Sequence, residues 1–577
     1  MKRFNLPVLC AAAAGVLALV AHAQKAPTSL ATLIQSGQTK LAIEQIKAGA
    51  DVNSVQPDGT SPLIWAIDRG EPEIAEALIA KKADPNATNE FGANPLTMAA
   101  RHSDERVVKA LLDAGAKADC ANPDGETALM MAITAGDVSI VQMLINAGAN
   151  VNTIEKLHNQ TPLMYAAASS NRNAAQMVKL LLAKDADVRP RALYSDWPSQ
   201  ITSEPRTQYR SVGGLNALLY AARSGCYGCV EDLLAHGADV NKPTPEAVTP
   251  LMIALDNEHN DVAKLLMDKG ANIHVWDWWG RTALWIAVDR RATATAPGFG
   301  GGARGGGGAR GAGGAAGGVA GGAAGGAAGG SGRARGGPGA GAPRGAGADG
   351  TGRPAVSSMD IINALLSAGA NENAEMNFHR PNAPGRGRFS DNQISTGTTP
   401  LFRAVQNSDM EVIRLLLAKG ADPNINTMGY TAFLLAAGAG PPARGGFGGS
   451  PAIKVNMQVL DLMIQHGADV NAKVTGTQIY SFNVSRAPSN NEGTSALHEA
   501  ARSGRTDLVK YLIDHGANPD ILDAEGKKAI DVAGVLRPVR GGGAAPAATG
   551  RGGPGRGPDP AAVAEIRSML EATAAKK

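Results

Sequence analysis

The chain is 577 residues long, 4% aromatic, with 72 Gly and a formal net charge of +3. A balance this near neutral excludes a chain-wide electrostatic grip on nucleic acid. With so few aromatics, packing must rest on Ala and Leu in helices and turns, and glycine at this level marks tracts that bury little. At the N-terminus, Lys2-Arg3, an apolar run over 6–20 and Ala21-His22-Ala23 read as an export signal cleaved after Ala23. The run is too short for a membrane span, and no other segment is long and apolar enough to be one, so none is expected after signal removal. A lipoprotein reading at Cys10 is weak, because the apolar run continues beyond it.

Further on, a phrase recurs, in most steps every 32 to 34 residues: Ser61-Pro62-Leu63, Asn94-Pro95-Leu96, Thr127-Ala128-Leu129, Thr161-Pro162-Leu163, Asn216-Ala217-Leu218, Thr249-Pro250-Leu251, Thr282-Ala283-Leu284, Thr399-Pro400-Leu401, Thr431-Ala432-Phe433 and Ser495-Ala496-Leu497. A decayed copy stands at Lys528-Ala529-Ile530. A second phrase keeps step, as in Gly49-Ala50-Asp51-Val52-Asn53 and Gly467-Ala468-Asp469-Val470-Asn471. Thr, Ser or Asn followed by Pro starts a helix, since the side chain accepts from free amides and Pro needs no partner in the first turn. Gly136-Asp137 and Ser224-Gly225 make turns. Ile140, Val141, Leu144 and Ile145 form a stripe at helical spacing, and Gly148 ends that second helix. Asn122-Pro123-Asp124-Gly125 turns back toward the next unit. One such unit cannot bury its apolar face alone, so a fixed period of this length predicts a stack with one elongated core.

The pattern resembles the ankyrin repeat. Gly493-Thr494-Ser495-Ala496-Leu497-His498-Glu499-Ala500-Ala501 matches the opening of that family's unit most fully, and Tyr511-Leu512-Ile513-Asp514-His515-Gly516-Ala517-Asn518 matches its close. Most other copies carry Ile64, Met130, Met164, Leu219, Met252, Trp285 or Phe402 where the family has the His that braces neighbouring repeats. The resemblance therefore implies an all-α ankyrin-repeat solenoid with looser, more apolar stacking, and a concave groove with finger loops that binds partners.

Insertions interrupt the period. Three fall between the helices of a unit: 296–354, rich in Gly, Ala and Arg; 438–450; and 538–558. Gly and Ala do not offset the entropy of folding, so these are expected to be disordered tethers on one edge. The layout is thus a signal over 1–23, a cap and about seven units over 28–295, an insertion over 296–354, repeats over 355–537, an insertion over 538–558 and a capping helix over 559–577. Three other insertions, 189–212, 375–396 and 472–492, lengthen fingers and carry Tyr194, Trp197, Tyr209, Phe378, Phe389, Tyr480 and Phe482. Such loops either line the binding face or fold back over apolar surface.

Trp276-Asp277-Trp278-Trp279-Gly280-Arg281 concentrates three of the six Trp at one finger. Trp and Arg dominate binding hot spots, so Trp276, Trp278, Trp279, Arg281, Tyr194 and Trp197 are the candidate partner-binding residues, with mutual packing of the rings as the competing reading. Trp285 takes the family's His position and is expected to pack between repeats. Cys226-Tyr227-Gly228-Cys229 opens a second helix. Its spacing fits a local disulfide formed in an oxidising compartment, or a thiol-redox pair, although the thioredoxin-like context of the latter is missing. The Arg-Gly tracts lack the aromatic platforms of single-stranded RNA binders, so no nucleic acid is expected. Motifs for hydrolases, phosphate loops and metal sites are absent from the sequence, and neither enzyme activity nor a cofactor or metal is expected. His236, His466 and His515 sit just before a helix-ending Gly, where they suit the helix dipole. The whole reads as an exported, non-enzymatic scaffold for a protein partner, periplasmic or secreted, and bacterial by its signal and Gly-Ala-Arg tracts. The alternative is a periplasmic thiol-redox or oxidative-stress factor using Cys226 and Cys229.

Overall fold

The computed structural model describes residues 29–195, 212–278, 280–295, 355–376, 397–427, 429–440, 455–475, 491–535 and 558–575. The export signal, the Gly-rich tracts and Trp197, Tyr209, Trp279, Phe378, Phe389, Tyr480 and Phe482 lie outside the described residues. The chain divides into two compact units, Met1–Ser195 with Val212–Asp239, and Asp196–Ser211 with Val240–Lys577.

Both units are built from antiparallel helix pairs. In the first these are Leu30–Gln35 with Thr39–Lys47, Pro62–Asp68 with Pro72–Ala80, Pro95–Arg101 with Glu105–Asp113, Ala128–Ala135 with Val138–Asn146, Pro162–Ala168 with Ala174–Leu182, and Ala217–Ser224 with Tyr227–Ala235. In the second they are Pro250–Asp256 with Asn260–Asp268, Ala283–Thr295 with Ser358–Ser367, Pro400–Gln406 with Met410–Ala418, Ala432–Ala436 with Met457–Gln465, and Ala496–Arg502 with Thr506–Asp514. Ala283–Thr295 and Ser358–Ser367, which flank the long Gly-rich stretch in sequence, pack against each other as a helix pair. The decayed copy forms turns over 529–534 rather than a helix, and Pro560–Ala574 packs on Thr506–Asp514 as the closing second helix.

Local chemistry explains the recurring unit. Asn94 Oδ1 accepts the Thr97 N–H at 2.9 Å, and Pro95 occupies the first helical position where its missing N–H costs nothing. After the first helix, Gly136 turns the chain at φ +80°, a conformation a Cβ would strain, and Asp137 Oδ1 at once caps the second helix through the Ile140 N–H. Ile140, Val141, Leu144 and Ile145 are all buried. Along the first unit, first helices pack on first helices and second on second; in the second unit the first helices pack in order from Pro250–Asp256 to Ala432–Ala436.

An asparagine ladder ties successive fingers. The last Asn of the Gly-Ala-Asp-x-Asn phrase accepts one backbone N–H from the next finger and donates to the Gly carbonyl that ends the next second helix. Asn53 does this with Asp84 N–H (2.8 Å) and the Lys82 carbonyl at the Gly position; Asn86 does it with Lys117 N–H and Gly115 O. In the second unit Asn373, Asn424 and Asn471 bridge to Asp422 and Gly420, Asp469 and Gly467, and Asn518 and Gly516. These steps span up to 49 residues where insertions intervene, yet the contact is the same.

The bracing bond of the first helices also persists. His498 Nε2–H donates to the Lys527 carbonyl at 3.1 Å. At the same register Trp285, fully buried, donates its Nε1–H to the Thr398 carbonyl at 3.0 Å. Trp285 therefore packs between repeats as expected, but its contact is not purely apolar: the indole supplies the hydrogen bond the imidazole would have made.

Candidate partner-binding surface

The residue four after each helix-starting cap falls at one register of every first helix. In the first unit these residues are Trp65, Met98, Met131, Tyr165 and Tyr220, following Ser61, Asn94, Thr127, Thr161 and Asn216. Because the first helices stack in order, they form a row along that unit. The first four are partly exposed and Tyr220 is buried. Their polar tips are fixed. Trp65 Nε1–H donates to Gln56 Oε1 at 2.9 Å, the Tyr165 hydroxyl donates to Glu126 Oε1 at 3.0 Å, and the Tyr220 hydroxyl accepts from Gln160 Nε2 at 2.6 Å. Glu126 and Gln160 each stand just before the cap of the preceding repeat, so each Tyr is held by its neighbour's finger. Burial, and then the Glu126 charge, push the Tyr165 hydroxyl far above the usual phenol range, so it stays a donor. Arg223 lies over the Tyr220 ring, 4.8 Å from its centroid. The expected site contained none of this row; the constant offset from the caps was the signal that could have found it.

Fingers carry most of the exposed large apolar side chains. Among the described residues these are Val55, Phe91, Ile154, Leu157, Leu193 and Tyr194 in the first unit and Trp276, Trp278 and Leu522 in the second. Tyr194 is 40% exposed on the two-residue strand Tyr194–Ser195, which pairs antiparallel with Val212–Gly213. This pair closes the base of the 189–212 insertion. The other two finger insertions close in the same way: Met376 N–H bonds Thr398 O while Gly397 N–H bonds Met376 O, and Val474 N–H bonds Thr494 O while Gly493 N–H bonds Val474 O. All three insertions thus leave and re-enter a finger at adjacent backbone positions.

The Trp276–Arg281 finger is held by a buried acid. Asp277 N–H bonds the Arg281 carbonyl, Gly280 N–H bonds the Asp277 carbonyl, and Trp278 N–H bonds the Glu246 carbonyl of the adjacent finger at 2.9 Å. Trp276 and Trp278, on either side of Asp277, are 64% and 58% exposed. Arg281 corrects an expectation. It is 5% exposed, with Nε 2.7 Å from Asp277 Oδ2 and Nη1 3.1 Å from Asp256 Oδ2. Burial disfavours its charge, but Asp256 and then Asp277 outweigh that and hold the guanidinium firmly protonated. Arg281 therefore pins the finger and presents no guanidinium to a partner.

The network continues along the first helices. Arg290 also binds Asp256 (2.8 Å), Arg403 Nε binds Asp289 Oδ1 (2.7 Å), and Arg291 binds Asp409 (2.8 Å) and Glu411. Asp289, Arg290 and Arg291 all belong to Ala283–Thr295, so these pairs knit the split repeat to both neighbours. Elsewhere, Cys226 and Cys229 are joined in a disulfide, Cα–Cα 5.2 Å, at the start of Tyr227–Ala235. His236 and His515 place Nδ1 2.8 Å from the Asp232 and Tyr511 carbonyls, at helix ends. Among the described residues no group of three or more His, Cys, Asp or Glu is placed to hold a metal, and no helix is long and apolar enough to cross a membrane.

Stacked helix–turn–helix units with ladder-linked fingers define a repeat scaffold whose exposed large apolar side chains, among the described residues, sit mostly on its fingers. The family described as "Ankyrin repeats (3 copies)" matches residues 30–122, 98–192, 218–296 and 355–474, and "Ankyrin repeat" matches 492–524. The chain belongs to the ankyrin-repeat family, and its repeats imply a protein partner. It is similar to cyclin-dependent kinase 4 inhibitor B of Rattus norvegicus, 36% identical over 137 residues covering 23% of this chain and 79% of that protein. It is also similar to alpha-latrocrustotoxin-Lt1a of Latrodectus tredecimguttatus (30% identical; 24% of this chain, 8% of that protein). A third relative is putative E3 ubiquitin-protein ligase XBAT34 of Arabidopsis thaliana (29% identical; 23% of this chain, 28% of that protein). The chain spans under a third of these last two relatives.

Proposed function

We propose that the protein is an exported, non-enzymatic scaffold that captures a protein partner on its fingers and first helices. The observation that carries this is the distribution of exposed apolar side chains. Val55, Phe91, Ile154, Leu157, Leu193, Tyr194, Trp276 and Trp278 are finger residues, while second-helix faces expose charge, as in the Arg106–Glu76 and Lys109–Asp113 pairs. Rings already fixed by hydrogen bonds, such as Trp65 and Tyr165, lose little freedom on binding, which favours them as anchors. Trp276, Trp278 and Tyr194 are the finger anchors in this reading, with Trp197 and Trp279 as further candidates from the sequence. Export is supported by Lys2-Arg3, the apolar run and Ala21-His22-Ala23, and a disulfide suits an oxidising compartment.

The test uses purified chain as bait on envelope extracts, comparing wild type with Trp276→Ala/Trp278→Ala and with Lys109→Glu on a second helix. The finger variant should keep its fold and weaken partner affinity by about 2 kcal/mol or more, roughly thirtyfold. Lys109→Glu should bind normally. Trp285→Ala, which empties a fully buried site, is the folding control and should lose about 3–5 kcal/mol of stability. A partner held equally by the finger variant, or lost on Lys109→Glu, would place the interface elsewhere. Mature N-terminal sequencing that does not begin at Gln24 would remove the signal assignment.

A further inference from the structure

The Cys226–Cys229 bond has a side open to chemistry and a side closed to it. Cys229 is fully buried where Tyr227–Ala235 packs on Ala174–Leu182, and the approach there is close: a Cβ on Gly228 would stand 3.0 Å from the Ala175 Cβ. Cys226, by contrast, is partly exposed at the turn after Gly225. Its Sγ caps the helix, accepting the Cys229 N–H at 3.3 Å, and no acidic residue stands in that helix's first turn. Cys226 is therefore the less buried member of the pair, and the helix that follows supplies an N–H and a positive helix end to stabilise its sulfur as a thiolate once the bond is broken.

We propose that Cys226–Cys229 is a reversible exchange site for dithiols, with Cys226 the attacked sulfur and Cys229 the buried resolving one. In the first step a dithiol's thiolate attacks Cys226 Sγ. The S–S bond to Cys229 breaks, Cys229 leaves as a thiolate and takes up a proton, and a mixed disulfide forms at Cys226. In the second step the remaining thiol of the dithiol, having lost its proton, attacks its own sulfur in the mixed disulfide. Cys226 is released as a thiolate capped by the Cys229 N–H, and the dithiol leaves oxidised by two electrons. The reverse sequence, driven by an oxidised dithiol, restores the bond. After reduction Cys229 remains in the core as a small apolar side chain, so the repeat does not need to open for the exchange. This site is independent of the partner-binding surface.

The experiment pulses the full-length native protein with dithiothreitol, alkylates, and reads each cysteine by peptide mass spectrometry. Cys226 and Cys229 should be reduced at denaturant-free conditions while the unit stays folded by circular dichroism, and Cys226 should be alkylated at least tenfold faster than Cys229. Cys120 serves as the free-thiol reference. It is bonded to Asn94 Oδ1 at 3.1 Å, and burial pushes its thiol up to about 11. Separately, Cys229→Ser should form a mixed disulfide with Ellman's reagent at Cys226 at least tenfold faster than Cys226→Ser does at Cys229. Reduction only at denaturant concentrations that melt the helices, or equal labelling of the two sulfurs, would overturn the proposal. The wild-type pulse decides the matter even if either Ser variant fails to fold.

Discussion

Single residues in this chain show how one physical job is done by different chemistries. The bracing contact between first helices is made by an imidazole at His498 and by an indole at Trp285, each donating to a backbone carbonyl of the next finger. The two differ in one respect, which is titration. Burial pulls the His498 pKa below its ordinary value, against the Lys527 carbonyl that pulls it up. Nδ1 faces the Ser495 N–H and hydroxyl, so a second proton there meets a donor. The folded state then binds this proton less readily than the unfolded one. The stabilisation is complete above the unfolded value of about 6.5 and is lost as pH falls below it toward the folded value. Hydrogen exchange of the Ala496–Arg502 amides should quicken from pH 7 to 5.5, after correction for intrinsic rates. His498→Met, the residue found at this register in Met130, Met164 and Met252, should flatten that dependence. An unchanged pH profile in the variant would assign it to other groups.

At the scale of elements, much was legible because it is local. Caps such as Asn94 and Asp137, prolines at the first helical position and the helix-ending glycines each act within four residues, and each stands where the sequence places it. The cross-element contacts were not. Arg403 and Asp289 are 114 residues apart, on either side of a Gly-rich tract, and only the closed repeat brings them to 2.7 Å. Arg281 read as a binding residue because Arg is common at interfaces; nothing local shows Asp256 and Asp277 converging on it. The row from Trp65 to Tyr220 follows from a constant register, one residue past the family's His position, and only stacking of the helices joins it into a surface. The asparagine ladder belongs to this scale too. Asn424 bridges two fingers by two 2.8 Å bonds, so Asn424→Ala should cost about 1–2 kcal/mol, at the lower end because the site is exposed. Urea denaturation measures it. Asn426→Ala, whose side chain bonds Thr475 and Gly429 instead, offers a comparison on the same finger. No loss on Asn424→Ala would show that the ladder records the stacking without supporting it.

For the molecule as a whole, the question is how a repeat survives an insertion longer than itself. The split unit is closed by contacts between described residues on either side of the tract. Trp285 bonds Thr398, Asp289 pairs with Arg403, and Arg291 pairs with Asp409 and Glu411. Ala283–Thr295 and Ser358–Ser367 pack directly, and Ser357 and Asp360 form a capping box that starts the second helix afresh on the far side. Each of these acts between residues outside 298–352. Gly and Ala, which dominate that stretch, bury little apolar surface, and loop-closure entropy grows only slowly with length, by about 0.6 kcal/mol per doubling. Deleting 298–352 should therefore leave the melting temperature within a few degrees of wild type, or raise it slightly by shortening the loop. The deletion leaves 296–297 joined to 353–357 as the connection between the two helices, longer than the two-residue Gly136-Asp137 turn of an intact repeat. Arg403→Ala is the opposing measurement. It removes the Arg403 partner of the buried Asp289 carboxylate and should destabilise by about 1.5–3 kcal/mol, the range for a hydrogen bond to a charged group. If the deletion costs as much as Arg403→Ala, the tract is part of the packed structure, and the repeat is not closed by its own contacts.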